Sequence, residues 1–128
     1  MAKTDKQKIG DWGEAQASIF LQQKGYEITD RNYRVKNGEI DIVAWQNKPY
    51  YGRTLCFIEV KTRSDWDGSA ERATKDKKLP QLFSASRHYC LTKNINIDKT
   101  PIQFEQVSVQ MMREFELGEI KHFVIIVE

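Results

Sequence analysis

The chain has 128 residues, of which 40% are hydrophobic and 30% charged, and its formal net charge is +2. These values belong to an ordinary globular protein, exclude a disordered or fibrous chain, and fit a single domain over residues 1–128. So small a net charge names no polyanionic partner, which leaves that argument to local charge placement.

The N-terminus is polar and lysine-rich, and no apolar run approaches membrane-spanning length, so no membrane partner and a cytoplasmic setting are expected. Cys56 and Cys90 lie inside apolar patterns and read as buried free thiols in a reducing compartment.

In chain order, Thr4-Asp5-Lys6-Gln7 has the form of a capping box, opening a helix that Gly25 stops. Ile9, Trp12, Ala17, Phe20 and Leu21 form its apolar stripe, and Glu14 sits on the stripe's border. Alone, such a glutamate reads as a surface or salt-bridged residue. Residues 26–36 and 39–45 predict two strands joined at Asn37-Gly38, where both residues tolerate positive φ. That register sets Val35 against Ile40 and Arg34 against Asp41, with Tyr33, Val35, Ile40, Ile42 and Ala44 sharing the core face.

After a polar loop at 46–53, Leu55-Cys56-Phe57-Ile58-Glu59-Val60-Lys61 reads as a buried strand. Alternation puts Glu59 and Lys61 on one side and Ile58 and Val60 on the other. Residues 64–70 read as a loop around Trp66, which could stack on a base or cover the core edge. A helix follows over 71–91, with Leu79, Leu82, Phe83, Ser86, Tyr89 and Cys90 along one side. Pro80 either kinks that helix or marks where its regular part begins. Residues 102–109 and 121–127 predict the last strands. The order α-β-β-β-α-β-β is that of a mixed α/β domain.

Asp41 and Glu59 on neighbouring strands would repel, and a hard divalent cation such as Mg²⁺ relieves this by taking oxygen ligands from both. Lys61 could orient a water or neutralise charge developing on phosphorus, and Glu14 could complete the acidic shell. Arg31, Arg34, Arg63, Lys77 and Lys78 are candidate phosphate contacts. The spacing alone serves two readings, because Arg34 and Asp41 could be a cross-strand ion pair and Glu59 and Lys61 part of a salt-bridge network. Glu119-Ile120-Lys121 and Asp76-Lys77-Lys78 have related spacing, without a hairpin acid beside them. His88 and His122 are far apart in sequence, which argues against zinc.

Several motifs occur in succession: Gly10-Asp11-Trp12-Gly13-Glu14-Ala15-Gln16-Ala17, Gly25-Tyr26, Arg31-Asn32-Tyr33-Arg34, Gly38-Glu39-Ile40-Asp41-Ile42-Val43-Ala44 and Phe57-Ile58-Glu59-Val60-Lys61-Thr62-Arg63. On these the chain resembles the YraN-like family of small bacterial proteins. That family is similar to the restriction-endonuclease-like nucleases with an Asp…Glu-x-Lys signature, and within them to the archaeal Holliday junction resolvases. The resemblance implies a restriction endonuclease-like fold, a mixed central β-sheet flanked by helices. Asp41, Glu59 and Lys61 would stand at the metal site, with the Val60 carbonyl as a further ligand and Glu14 as the helix-borne acid. It implies a Mg²⁺-dependent endonuclease (Mn²⁺ as an alternative) on DNA rather than RNA, branched or damaged DNA included, and a homodimer if the substrate is a four-way junction. The competing expectation is a non-catalytic nucleic-acid-binding or partner-binding module on the same fold. Gln103-Phe104-Glu105 departs from the Arg-Phe-Asp-like run expected near the fourth strand.

Overall fold

A computed structural model describes residues 2–64 and 75–127, with the side chains of helix α2 described from Leu79 onward. The elements run α1 (Asp5–Gln23), β1 (Glu27–Val35), β2 (Gly38–Lys48), β3 (Gly52–Ser64), α2 (Lys75–Thr92), β4 (Ile102–Arg113) and β5 (Glu116–Ile125). This is the expected order. The strands form one five-stranded sheet in sequence order, antiparallel except for the parallel β3–β4 pair. The parallel pair requires a crossover, and the connection between β3 and β4 contains α2.

Helix α1 begins as its sequence predicts. Thr4 Oγ1 accepts from the Gln7 N–H at 3.1 Å, and Gln7 Oε1 accepts from the Thr4 N–H at 2.9 Å. At the other end Gly25 takes φ +88°, and Tyr26 N–H donates to Leu21 O at 3.0 Å, which closes the helix. Ala17 and Leu21 pack onto one sheet face with Tyr26, Ile42, Ala44, Cys56, Ile58, Val107 and Val109. On the opposite face Leu82, Ala85, Tyr89 and Cys90 of α2 cover Ile40, Val43, Leu55 and Phe57. The two cysteines are buried free thiols, one in each cluster, as expected.

Four expectations need correction. The first hairpin turns on Lys36-Asn37, with Val35 opposite Gly38, so Arg34 faces Glu39 and not Asp41. The cross-strand pair Arg34–Asp41 therefore does not exist; Arg34 Nε is 3.1 Å from Glu39 Oε2 instead. Neither Asn37 nor Gly38 has positive φ. Gly38 answers a steric demand, since a Cβ there would lie 2.1 Å from the Gln81 backbone oxygen of α2.

Second, Tyr33, Val35 and Ile40 do not share a face with Ile42 and Ala44. The former pack toward α2 and the latter toward α1. Asn32, at φ 54°, stands between the pairs Arg31–Ile42 and Tyr33–Ile40, and both strands exchange faces there. Third, β2, β3, β4 and β5 outrun their predicted lengths, while β1 stays just within its own. β2 and β3 leave only Pro49-Tyr50-Tyr51 as connection, and β4 and β5 meet at a turn where Phe115 takes φ 53°, with no glycine or asparagine in it. Fourth, α2 is already running before Pro80, which does not mark its start. The expectations for Trp66, for the loop beyond Ser64 and for a helix start at Glu71 lie outside the described residues.

Candidate active site

The exchange of faces at Asn32 and Asp41 positions the centre of the site. The β2–β3 pairing ends at Ile42 opposite Ile58. One residue further Asp41 turns its side chain across the gap, and its Oδ2 accepts the Val60 N–H at 2.7 Å. A carboxylate thus substitutes for a backbone carbonyl where the strands part, and is held against the residue that follows Glu59. Such a bond from a backbone N–H to an ionised carboxylate is short and about twice as strong as a neutral one.

Glu14 reaches the same place from α1. It is 9% exposed, and its Oε1 lies 3.4 Å from Arg31 Nη2. Burial raises the Glu14 carboxyl above its ordinary value of 4.5, and the Asp41 charge raises it further, while Arg31 and a hydrogen bond from the Asn32 side chain pull it down. A buried carboxyl whose ionisation is disfavoured by the Asp41 charge, beside one arginine, makes an electrostatically loaded corner. Glu59, also 9% exposed, and the half-buried Lys61 follow along β3.

The expected residues therefore separate. Glu14, Arg31, Asp41 and the Val60 N–H come together, while Glu59 and Lys61, at alternate positions of β3, lie on the sheet face that carries α2. Arg34 is taken up by Glu39 toward the hairpin turn. Arg63 lies two residues beyond Lys61 and lines a separate pocket. Lys77 and Lys78 belong to the first turns of α2, and their side chains lie outside the described residues. The rival Glu119-Ile120-Lys121 spacing carries exposed side chains on β5, 66% and 54% accessible, where carboxylate charge is well solvated.

Among the described residues no group of three His, Cys, Asp or Glu side chains stands ready as a metal cluster. His88 bonds Tyr33 and His122 bonds Glu105, so neither histidine belongs to a shared ligand set. The oxygen ligands placed near one another here are the carboxylates of Asp41 and Glu14. That chemistry suits Mg²⁺, which characteristically takes one or two carboxylates and completes its shell with water and phosphate oxygens.

Two features escaped the sequence reading. Asn32 is one; the available signal was an asparagine inside a predicted strand, a residue type that tolerates the left-handed region. The other is Glu105, wholly buried on the α1 side of the sheet. Its Oε1 accepts from Tyr26 Oη at 2.8 Å and meets His122 Nε2 at 2.7 Å, while Oε2 lies 2.9 Å from Lys48 Nζ. Burial alone would raise this carboxyl, but the hydrogen bonds from His122, Lys48 and Tyr26 outweigh it and hold it at about 2. The Glu105 network lies on the face opposite Glu59 and is a structural element of the core.

The sequence is similar to bacterial proteins of one family. It is 39% identical over 108 residues to a UPF0102 protein of Alkaliphilus oremlandii, covering 84% of this chain and 88% of the relative. It is 33% identical over 125 residues to one of Chlorobium phaeobacteroides, covering 94% and 93%, and 40% identical over 109 residues to one of Koribacter versatilis, covering 83% and 71%. The family model described as "Uncharacterised protein family UPF0102" matches residues 13–112, a span that includes Glu14, Arg31, Asp41, Glu59 and Lys61. The chain therefore belongs to the UPF0102 family.

Proposed function

We propose that this protein is a Mg²⁺-dependent endonuclease of the restriction endonuclease-like type, hydrolysing phosphodiester bonds in DNA. The observation that carries the reading is the Asp41 carboxylate, anchored at 2.7 Å on the N–H of Val60, the residue after Glu59 on β3, with Glu14 close enough to feel its charge. Asp41, Glu59 and the Val60 carbonyl would hold the ion. When bound, a Mg²⁺ supplies polarisation of a phosphoryl oxygen and a water of lowered pKa.

The chain's own groups do the rest. The Val60 N–H keeps Asp41 from swinging out to solvent. Lys61 neutralises charge that develops on the phosphate oxygens and orients the attacking water. Arg31 balances Glu14 in the resting site and can transfer its charge to a substrate phosphate. The Glu14 carboxyl, raised by burial and by Asp41, holds its proton more tightly than a solvated glutamate does. A binding module would gain little from carboxylates that repel both each other and the phosphates they face. Two buried free thiols fit a reducing cytoplasm.

The test presents purified protein with Mg²⁺ or Mn²⁺ and a panel of linear, flap and four-way-junction DNAs, with matched RNAs. DNA should be cut, and Glu59→Ala or Lys61→Ala should abolish cleavage while the circular dichroism spectrum stays native. Calorimetric Mg²⁺ titration should give binding heat that Asp41→Ala removes. Cleavage surviving both β3 substitutions would refute the assignment, and binding without cleavage of any substrate would establish the non-catalytic module. Paired symmetric nicks in a junction would call for two copies of the chain.

A further inference from the structure

The sheet face that carries α2 changes character part-way along its strands. On β3, Leu55 and Phe57 pack under α2, and Glu59, Lys61 and Arg63 follow at alternate positions. On β4, Ile102 and Phe104 give way to Gln106, Ser108 and Gln110. On β5, running the other way, Ile125 and Phe123 give way to Lys121 and Glu119. The registers place Lys61, Ser108 and Lys121 in one row across three strands, with Arg63 beside Gln110 in the next. Arg63, Ser108, Gln110, Glu119 and Lys121 line a pocket there.

We propose that this pocket binds a phosphodiester group of the substrate strand, next to the one addressed by Glu59 and Lys61. The assignment rests on the nuclease reading above and extends it to residues outside the acidic centre. Ser108 is 4% exposed, and its Oγ accepts from Gln106 Nε2 at 3.1 Å, which fixes the hydroxyl and leaves its proton to donate. The Lys121 ammonium stands 3.9 Å from Glu119, a separation at which an exposed pair holds its partners weakly, so the lysine can swing to a stronger anion. Arg63 adds the second positive charge. Among the described residues the one carboxylate in the lining, Glu119, points to solvent at 66% exposure and is a poor basis for a cation site.

Two cations and a buried hydroxyl donor are the chemistry of a phosphate contact. Strands lie about 4.8 Å apart, so Lys121 is roughly 10 Å across the row from Lys61. That spacing lets one nucleic-acid strand engage both.

The experiment measures binding of a labelled duplex and a labelled four-way junction without divalent metal, over a salt series. It compares wild type, Lys121→Gln, Ser108→Ala and the distant control Lys99→Gln. Each phosphate neutralised contributes about 0.9 to the slope of log affinity against log salt. Lys121→Gln should reduce the slope by about one and weaken both DNAs equally. Ser108→Ala should weaken binding about 2–10-fold at unchanged slope, because it removes a neutral donor. Lys99→Gln should match wild type. Inorganic phosphate, titrated while amide chemical shifts are recorded, reads the pocket without nucleic acid; shifts should centre on Ser108 and Lys121 and vanish in Lys121→Gln. If wild type binds DNA and Lys121→Gln equals it in slope and phosphate response, the pocket is refuted and the nuclease reading stands. If wild type binds no nucleic acid the nuclease reading fails, and the pocket fails with it.

Discussion

Gly13 and Thr62 meet with no room for a methyl group: a Cβ added to Gly13 would lie 1.8 Å from Thr62 Oγ1 and 2.9 Å from its Cβ. This contact lets α1 lie directly on β3, and the next residue along the helix is Glu14. The glycine is costly to helix propensity, by about 1 kcal/mol relative to alanine. Its place is explained by what it brings down onto the sheet.

Gly13→Ala should therefore destabilise the protein by about 1–3 kcal/mol despite the better helix former, because the added carbon overpacks the α1–β3 contact. Thr62→Ala in the same chain should recover most of that loss. Urea unfolding of the two single variants and the double variant measures the coupling, and additive losses would show that the two residues do not share one space.

Asn32 holds φ 54° where β1 and β2 exchange faces. Asn32→Gly should leave stability near wild type, and Asn32→Val should cost about 1–2 kcal/mol, the penalty of placing a β-branched residue in the left-handed region. Equal stability of the two variants in chemical denaturation would contradict the exchange.

Glu14 carries a pH signature. Its folded carboxyl is raised by burial first and by Asp41 second, so the folded state binds the proton more tightly than the unfolded chain. Its contribution is fully present below the ordinary value of 4.5 and is lost as pH rises through the folded value. At neutral pH Glu14→Gln should raise the melting temperature by a few degrees, and the difference should disappear below pH 4.5. A stabilised variant that has lost DNA cleavage would mark a site kept at a cost to stability. Melting curves from pH 4 to 8 check the sign.

Glu105 predicts the opposite slope. Its carboxyl is held down at about 2, so its stabilising contribution is present above 4.5 and is lost as pH falls through about 2. Glu105→Ala leaves Lys48 without its buried counter-charge and His122 without its hydrogen-bond partner, and should cost about 3–5 kcal/mol at neutral pH. It should also flatten the acid limb of the stability profile. Acid titration followed by circular dichroism compares the two, and an unchanged acid limb would remove Glu105 from the account.

What could be read from the chain without coordinates was local. Thr4 and Gln7 cap a helix by their own side chains, Gly25 ends it, and Ile58 and Val60 alternate with Glu59 and Lys61 along a strand. Each is decided within a few residues, so element order, mixed α/β class and the pairing of acid with lysine on β3 were all legible. The hairpin misled because Asn37-Gly38 looks like a turn for reasons of φ, whereas Gly38 is small because α2 passes over it at Gln81.

The tertiary structure decided everything that depends on two elements meeting. The hairpin register, with Val35 opposite Gly38, takes Asp41 away from Arg34. The left-handed turn of the backbone at Asn32 brings Asp41 to the fork between β2 and β3, where it can bond Val60. Glu14 likewise becomes a buried acid only because Gly13 seats its helix on Thr62. Amino-acid order determined which groups were available to meet, while the close packing of distant segments, which no local propensity encodes, determined which of them did.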